Sequence, residues 1–306
     1  MNILGKRNIF FVISLLVIIP GLLVLIFGGL PLSLDFTGGT LLEVKFESAS
    51  TPQPAEIISV YESLNIKDTQ VQTTSNNSLV IRSTFLDDAT REKVLVAMGE
   101  KFGSRPTTLR FDSVGPAIGA EVASRAALAV AVAALVVVAF ITWTFRGIAH
   151  AFRYGACAII AMIHDVAVVF SVAGLGALLL GWEMDSLFLT ALLTVIGFSV
   201  QDKIVVFDRI RENSNILRRL DFETLVNHSV VQTLQRSINT QLMTVEFMLL
   251  ALALFGGITL REFAVILLVG LFSGTYSSIF IAAPILVVWE NKEWRTWFKR
   301  GQTSAA

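Results

Sequence analysis

Six separated apolar runs, each about as long as the hydrocarbon layer of a bilayer is thick, constrain this chain more than any other feature. They cover residues 9–30, 123–143, 151–180, 187–207, 238–257 and 263–288. A helix of about 20 residues crosses the ~30 Å hydrocarbon layer. Backbone inside that layer must satisfy its own hydrogen bonds, and runs of this length do so as helices. Composition agrees, with 54% hydrophobic against 16% charged residues in 306 and a mean hydropathy of +0.69, outside the range of soluble globular domains. The first run reads as a retained anchor. Its apolar core is too long for a signal peptide, and Gly28-Gly29-Leu30-Pro31 offers no A-x-A cleavage site. Pro20 is a candidate kink within it. The single Cys157 has no intrachain disulfide partner and reads as a small core hydrophobe.

Positive residues give the orientation. Lys6, Arg7, Arg146, Arg153, Arg209, Arg211, Arg218, Arg219, Arg236, Lys292, Arg295, Lys299 and Arg300 all fall on one side of the runs, whereas the turns at 182–186 and 257–262 carry only Arg261. The positive-inside rule makes the first side cytoplasmic. The expected organisation is a cytoplasmic N-terminus and first span over 1–30 and an external domain over 31–121. Spans two to six follow over 122–290 with a cytoplasmic loop at 208–237, and then a cytoplasmic tail over 291–306. The external segment holds eight Lys/Arg against twelve Asp/Glu, a net of about −4, so no nucleic-acid partner is expected.

That external segment patterns as strand 40–47, helix 54–65, strands 69–74 and 79–85 around Ser75-Asn76-Asn77-Ser78, helix 87–102 and strand 107–113. The order βαββαβ is that of an α+β ferredoxin-like domain, two helices covering one face of a four-stranded antiparallel sheet. Glycine motifs flank it, Asp35-Phe36-Thr37-Gly38-Gly39-Thr40 on entry and Val114-Gly115-Pro116 with Gly119 on exit. No P-loop lysine and hydroxyl follow Gly38-Gly39, so a turn or hinge fits better than a phosphate cradle. Gly38, Gly39, Gly115 and Pro116 are the hinge candidates.

Ionisable residues inside the runs stand out, because a charge near the centre of a membrane helix costs roughly 3 kcal/mol. Asp202 and Lys203 lie in the fourth run, His164 and Asp165 near the middle of the third, and Glu246 within the fifth. Asp202 is the leading candidate for a protonatable group. His164-Asp165 reads either as a proton relay or as a satisfied packing hydrogen bond. Glu246 reads as a second protonatable site or a buried protonated acid. Asp208 to Asn213 carries opposite charges at helical spacing and needs no more than a solvated helix end. Ser273, Gly274, Ser277 and Ser278 around Tyr276 are small-residue packing positions, facing a partner or this chain.

Several of these segments together resemble the SecD/SecF family of bacterial protein-export membrane subunits, within the resistance-nodulation-division superfamily. The residues are DFTGGT after the first run, VGPAIGAE before the second, IHD in the third, SVQDKIVVFDRIREN around the fourth, RSINT before the fifth and GTYSSIFIAAP in the sixth. The resemblance implies an accessory subunit of the Sec translocase in the bacterial inner membrane, of the SecF type. It would pair with SecD, associate with the SecYEG channel and translocating preproteins, and use the proton motive force, with protons as coupling ion and no bound cofactor or metal. It also assigns importance to Asp202 and to Arg236 as its partner. The family commonly reads Asn-Asp-Thr where this chain has Gln201-Asp202-Lys203. The lysine either snorkels to the interface or tunes Asp202. Rival readings are a non-transporting scaffold, a stand-alone exporter of lipid or small molecules from the same superfamily, and an intramembrane hydrolase, which would need a nucleophile and base on facing helices.

Overall fold

The computed structural model describes residues 2–46, 52–74, 77–146, 151–241 and 247–293. Glu246, Arg295, Lys299 and Arg300 lie outside these, as do residues 75–76 of the expected turn. The chain divides into two compact units, residues 1–31 with 129–306, and residues 32–128.

The larger unit is helical. Its elements are α1 (Arg7–Gly28), the later part of α5 (Pro116–Thr144), α6 (Ala151–Leu180), α7 (Ser186–Ile216), α8 (Phe222–Gln241), α9 (Phe247–Phe255), α10 (Ile258–Ser277) and α11 (Ala283–Glu290). A π-helical turn, Ser278–Ala282, joins α10 to α11. It precedes Pro284, whose missing N–H and bulky ring disturb regular α-helical bonding. Among the described residues, five helices are long and apolar enough to cross a membrane: Leu4–Gly28, Pro116–Thr144, Ala151–Leu180, Ser186–Ile216 and Leu260–Glu290. Six were expected. The expected fifth span is shared between the end of α8 and α9, with 242–246 outside the described residues. The segment expected as a loop over 208–237 is largely helix, because α7 continues to Ile216 and α8 starts at Phe222. α1 runs unbroken through Pro20.

Burial sorts these helices. The core is built from α6, α7 and the α10–α11 rod, around Ala161, Val169, Val195, Ile196, Val206, Leu267 and Ala282. α1 and α5 leave apolar residues such as Leu16, Ile26, Leu135 and Trp143 exposed, as suits surfaces for lipid or a partner. Small residues bring the helices close. A Cβ on Gly21 of α1 would lie 1.9 Å from the Ser171 backbone oxygen of α6, and one on Gly270 of α10 would lie 2.2 Å from Val195 of α7. One end of the bundle is tied by polar contacts: the Arg7 guanidinium pairs with Glu223 at 3.0 Å and Glu293 at 2.7 Å. The Asn227 Oδ1 accepts from the Ile3 N–H at 2.8 Å, and Arg153 pairs with Glu290.

The smaller unit has element order α2 (Leu34–Thr37), β1 (Gly39–Lys45), α3 (Pro54–Ser63), β2 (Gln70–Thr73), β3 (Ser78–Ser83), α4 (Asp88–Phe102) and β4 (Thr107–Val114), and the beginning of α5. Its sheet is antiparallel with strand order β2-β3-β1-β4. Alternation sends Leu42 and Val44 of β1 and Leu79 and Ile81 of β3 into a core shared with Ile57, Val60 and Tyr61 of α3 and Val94, Leu95 and Met98 of α4. Local signals set the helix ends. Pro54 opens α3 with Glu56 reaching back to the Gln53 N–H at 2.9 Å. Asp87 caps α4 by accepting from the Thr90 N–H at 2.8 Å, and Gly103 ends it at φ +75°.

Candidate functional site

Helical spacing builds the site. Ser199 and Lys203 are four residues apart on the buried side of α7, and Ser273 and Ser277 are four apart on α10. Positions i and i+4 stack on one stripe of a helix. The two stripes meet because α10 offers Gly274 between its serines: a Cβ there would already be 3.3 Å from the Ser199 Cα. Both stripes close on Asp165 of α6.

Asp165 and Lys203 side chains are fully buried, with the Lys203 Nζ donating to Asp165 Oδ2 at 2.7 Å. The same oxygen accepts from the Ser199 hydroxyl at 2.6 Å and the Ser277 hydroxyl at 2.7 Å. The other oxygen accepts from the Ser273 hydroxyl at 2.7 Å and lies 3.1 Å from His164 Nδ1. Lys203 spends its remaining N–H groups on its own helix, at 2.9 Å to the Ser199 carbonyl oxygen and 2.6 Å to the Ser199 hydroxyl. A buried ion pair survives only when such extra bonds offset the loss of water, and removing one partner of such a pair costs about 3–5 kcal/mol.

Around this centre, the His164 ring stacks on Tyr276, with centroids 6.2 Å apart. The Tyr276 hydroxyl donates to the Phe10 carbonyl oxygen of α1 at 3.0 Å. His164 Nε2 is buried with no hydrogen-bond partner among the described residues. The three serines donate to a carboxylate and make no bond to the imidazole, so the nucleophile–base pair of a hydrolase is not assembled here.

The sequence-selected residues are thus placed unequally. His164, Asp165 and Lys203 come together. Lys203 neither snorkels nor turns to its neighbour Asp202; adjacent helical positions point about 100° apart, and its ammonium lies on Asp165. Asp202 is buried too and engaged in a contact of its own. Gln201 is exposed. Arg236 is exposed on α8 and enters no ion pair among the described residues. Ser273 and Ser277 face this chain's own Asp165. The signal that finds the site is the repeated i,i+4 pairing of Ser199 with Lys203 and of Ser273 with Ser277, each aimed at one acid.

In the smaller unit the two glycine motifs touch. Gly38 holds φ +69°, and a Cβ on it would lie 2.9 Å from the Pro116 Cα; one on Gly119 would lie 2.6 Å from the Gly38 backbone nitrogen. Gly39 also has positive φ, at +116°. Gly115 has open space, its nearest neighbour being Ile118 at 3.9 Å. The hinge candidates therefore form a junction in which backbone packs on backbone.

Comparison with known proteins follows the same lines. Residues 94–292 match the family described as protein export membrane protein SecD/SecF, C-terminal, and residues 24–50 match the SecD/SecF GG motif. The chain is 68% identical to the protein translocase subunit SecF of Anaerolinea thermophila, over all of this chain and 99% of that protein. It is 44% identical to the same subunit of Thermobaculum terrenum, again over 100% and 99%. Among solved structures, the crystal structure of SecDF from Thermus thermophilus, a translocon-associated membrane protein, superposes with a TM-score of 0.77 at 33% identity, over 95% of this chain and 39% of that one. End-to-end identity to translocase subunits, with both motif regions matched, makes this chain a member of the SecD/SecF family of protein export membrane proteins.

Proposed function

We propose that this chain is the SecF-type half of a Sec translocase accessory complex in the bacterial inner membrane, and that with a SecD half it uses the proton motive force to promote late steps of export. The observation that carries the reading is Asp202, an acid buried on a membrane helix apart from the closed Asp165–Lys203 pair, in a chain whose relatives are translocase subunits. A scaffold needs no such acid. The longer SecDF relative, of which this chain spans 39%, supports a SecD partner that supplies the facing half of any proton path. Contact with the SecYEG channel and with preproteins belongs to the same reading.

In this scheme the smaller unit is a ferredoxin-like domain on the external face, and both termini are cytoplasmic. Asp202 is the acid that exchanges protons, and Arg236 is the cation that pairs with it in one state of the cycle. A pair that forms and breaks with protonation supplies the two-state element coupling needs. Asp202→Asn is the test, in proteoliposomes containing SecD, SecYEG and this chain. Loss of proton-dependent export with the complex still assembled is the expected result; unchanged export and proton flux would exclude the mechanism and favour a scaffold. Co-purification with lipid cargo in place of SecD would favour an exporter.

A further inference from the structure

The buried Asp165–Lys203 pair invites assignment as a proton station, yet its bonding leaves no vacancy. An ammonium has three donors, and those of Lys203 are all used, on Asp165 Oδ2, the Ser199 carbonyl oxygen and the Ser199 hydroxyl. A carboxylate offers about four lone-pair positions, and Asp165 is met by Ser199, Ser273, Ser277, Lys203 and His164. A proton reaching Asp165 must displace one of these donors and leave an ammonium buried without a counter-charge. A metal cation would have to displace the same ammonium.

We propose that Lys203 is a tethered counter-ion: its ammonium permanently fills the cation position of the Asp165 carboxylate and converts that position into a fixed joint between α6, α7 and α10. The inference rests on the proton-driven reading only in leaving proton exchange to Asp202. Lys203 is short-leashed, since its Nζ is bonded to the carbonyl of its own helix four residues back. The other titratable groups around Asp165 offer no substitute. His164 of α6 reaches it through Nδ1, while Tyr276 of α10 directs its hydroxyl to the Phe10 carbonyl. From α1 the nearest polar side chain in this network is the Ser14 hydroxyl, 3.5 Å from Tyr276. Three serines from two helices, all donating to one carboxylate, are what holding a charge in place requires; releasing it would need an open side.

The test compares the full chain with Asp165→Asn, Lys203→Met and the double variant Asp165→Asn/Lys203→Met, purified in the same lipid–detergent mixture. Each single variant is expected to lower the thermal midpoint by about 5 °C or more at pH 8, and the double variant to return to within about 2 °C of the parent. Lys203→Met alone should regain midpoint relative to the parent between pH 8 and pH 5, because its Asp165 is then free to take a proton. Translocation with the SecD-containing complex supplies the second readout: the double variant should keep it within about threefold. Single variants as stable as the parent overturn the proposal. So does a double variant that fails to assemble, or one that assembles at parental stability but has lost proton-driven export. Asp202→Asn is measured in parallel; its retaining export would remove the proton-driven reading, while the thermal series still decides the tethered counter-ion.

Discussion

The glycine junction of the smaller unit predicts a graded mutational series that separates packing from hinge freedom. Four glycines differ in what a methyl group meets. At Gly115 an alanine Cβ finds only Ile118 at 3.9 Å and needs no unusual backbone, so Gly115→Ala is expected to be near neutral. Gly103 has positive φ and nothing within 4 Å, so its alanine bears only the left-handed strain, about 1 kcal/mol. Gly119→Ala places its Cβ 2.6 Å from the Gly38 nitrogen and 3.1 Å from the Gly38 Cα. These are backbone atoms that cannot rotate away, and overpacking of this kind costs about 1–3 kcal/mol. Gly38→Ala combines both terms, a 2.9 Å approach to the Pro116 Cα and φ +69°, for about 2–4 kcal/mol. Hydrogen exchange of the β1 and β4 amides in the full chain reads the series, since each 1.4 kcal/mol is about tenfold in the opening equilibrium. The order Gly115, Gly103, Gly119, Gly38 is required. If Gly119→Ala and Gly38→Ala exchange at the parental rate, the motifs do not pack as described and a loose hinge is the better account.

Other predictions are independent of that junction. Tyr61 is fully buried with its hydroxyl unbonded among the described residues, and burial pushes its phenol above the ordinary range. Tyr61→Phe should therefore be neutral or stabilise the smaller unit by about 1 kcal/mol in denaturant melts. Arg7→Ala removes partly exposed pairs with Glu223 and Glu293, and should cost about 1 kcal/mol and speed proteolysis near the start of α8, the more so at low salt. Hydrogen bonds from the Thr90 side chain and then from its backbone N–H hold the Asp87 carboxyl below the usual carboxylate range. Its contribution to capping α4 is thus complete above the unfolded value, about pH 4, and lost as pH falls through the lower folded one; in Asp87→Ala this acid-side loss should vanish from the melt. Gly21→Val should separate α1 from α6, because its Cβ would overlap the Ser171 backbone oxygen at 1.9 Å, and lower the thermal midpoint in detergent.

Much of the chain was legible before its structure, and for physical reasons. Strands expected at 40–47, 69–74, 79–85 and 107–113 appear as Gly39–Lys45, Gln70–Thr73, Ser78–Ser83 and Thr107–Val114. Period-two apolar patterning, bounded by glycine, proline and asparagine, is a strong local signal. Long apolar runs located α1, α6 and the α10–α11 rod for the same reason. What failed was rotational. Lys203 was read as either snorkelling to the interface or tuning Asp202, and its partner instead lies 38 residues away on α6. No local pattern encodes which way a membrane helix faces its neighbours; here that depends on Gly270 and Gly274 admitting α10 against α7. The helix end over Asp208 to Asn213 was legible from its i,i+3 charges, whereas α8 from Phe222, inside the expected loop, was missed because hydropathy is low there while helical hydrogen bonding is not.

That unbroken length of α7 has a mechanical meaning. At 31 residues it measures about 46 Å, some 16 Å beyond the ~30 Å hydrocarbon layer. It has no proline and no break between the Lys203 joint and its far end, where Asn213 bonds Ser229 at 2.8 Å and Arg209 bonds Gln232 at 2.7 Å. From Lys203 to Ile216 is about 20 Å of stiff rod. A 10° tilt about the joint would carry the tip about 3–4 Å, Asn213 about 2.6 Å and Arg209 about 1.6 Å. α7 thus holds the salt bridge inside the bundle and the polar contacts with α8 on one uninterrupted rod.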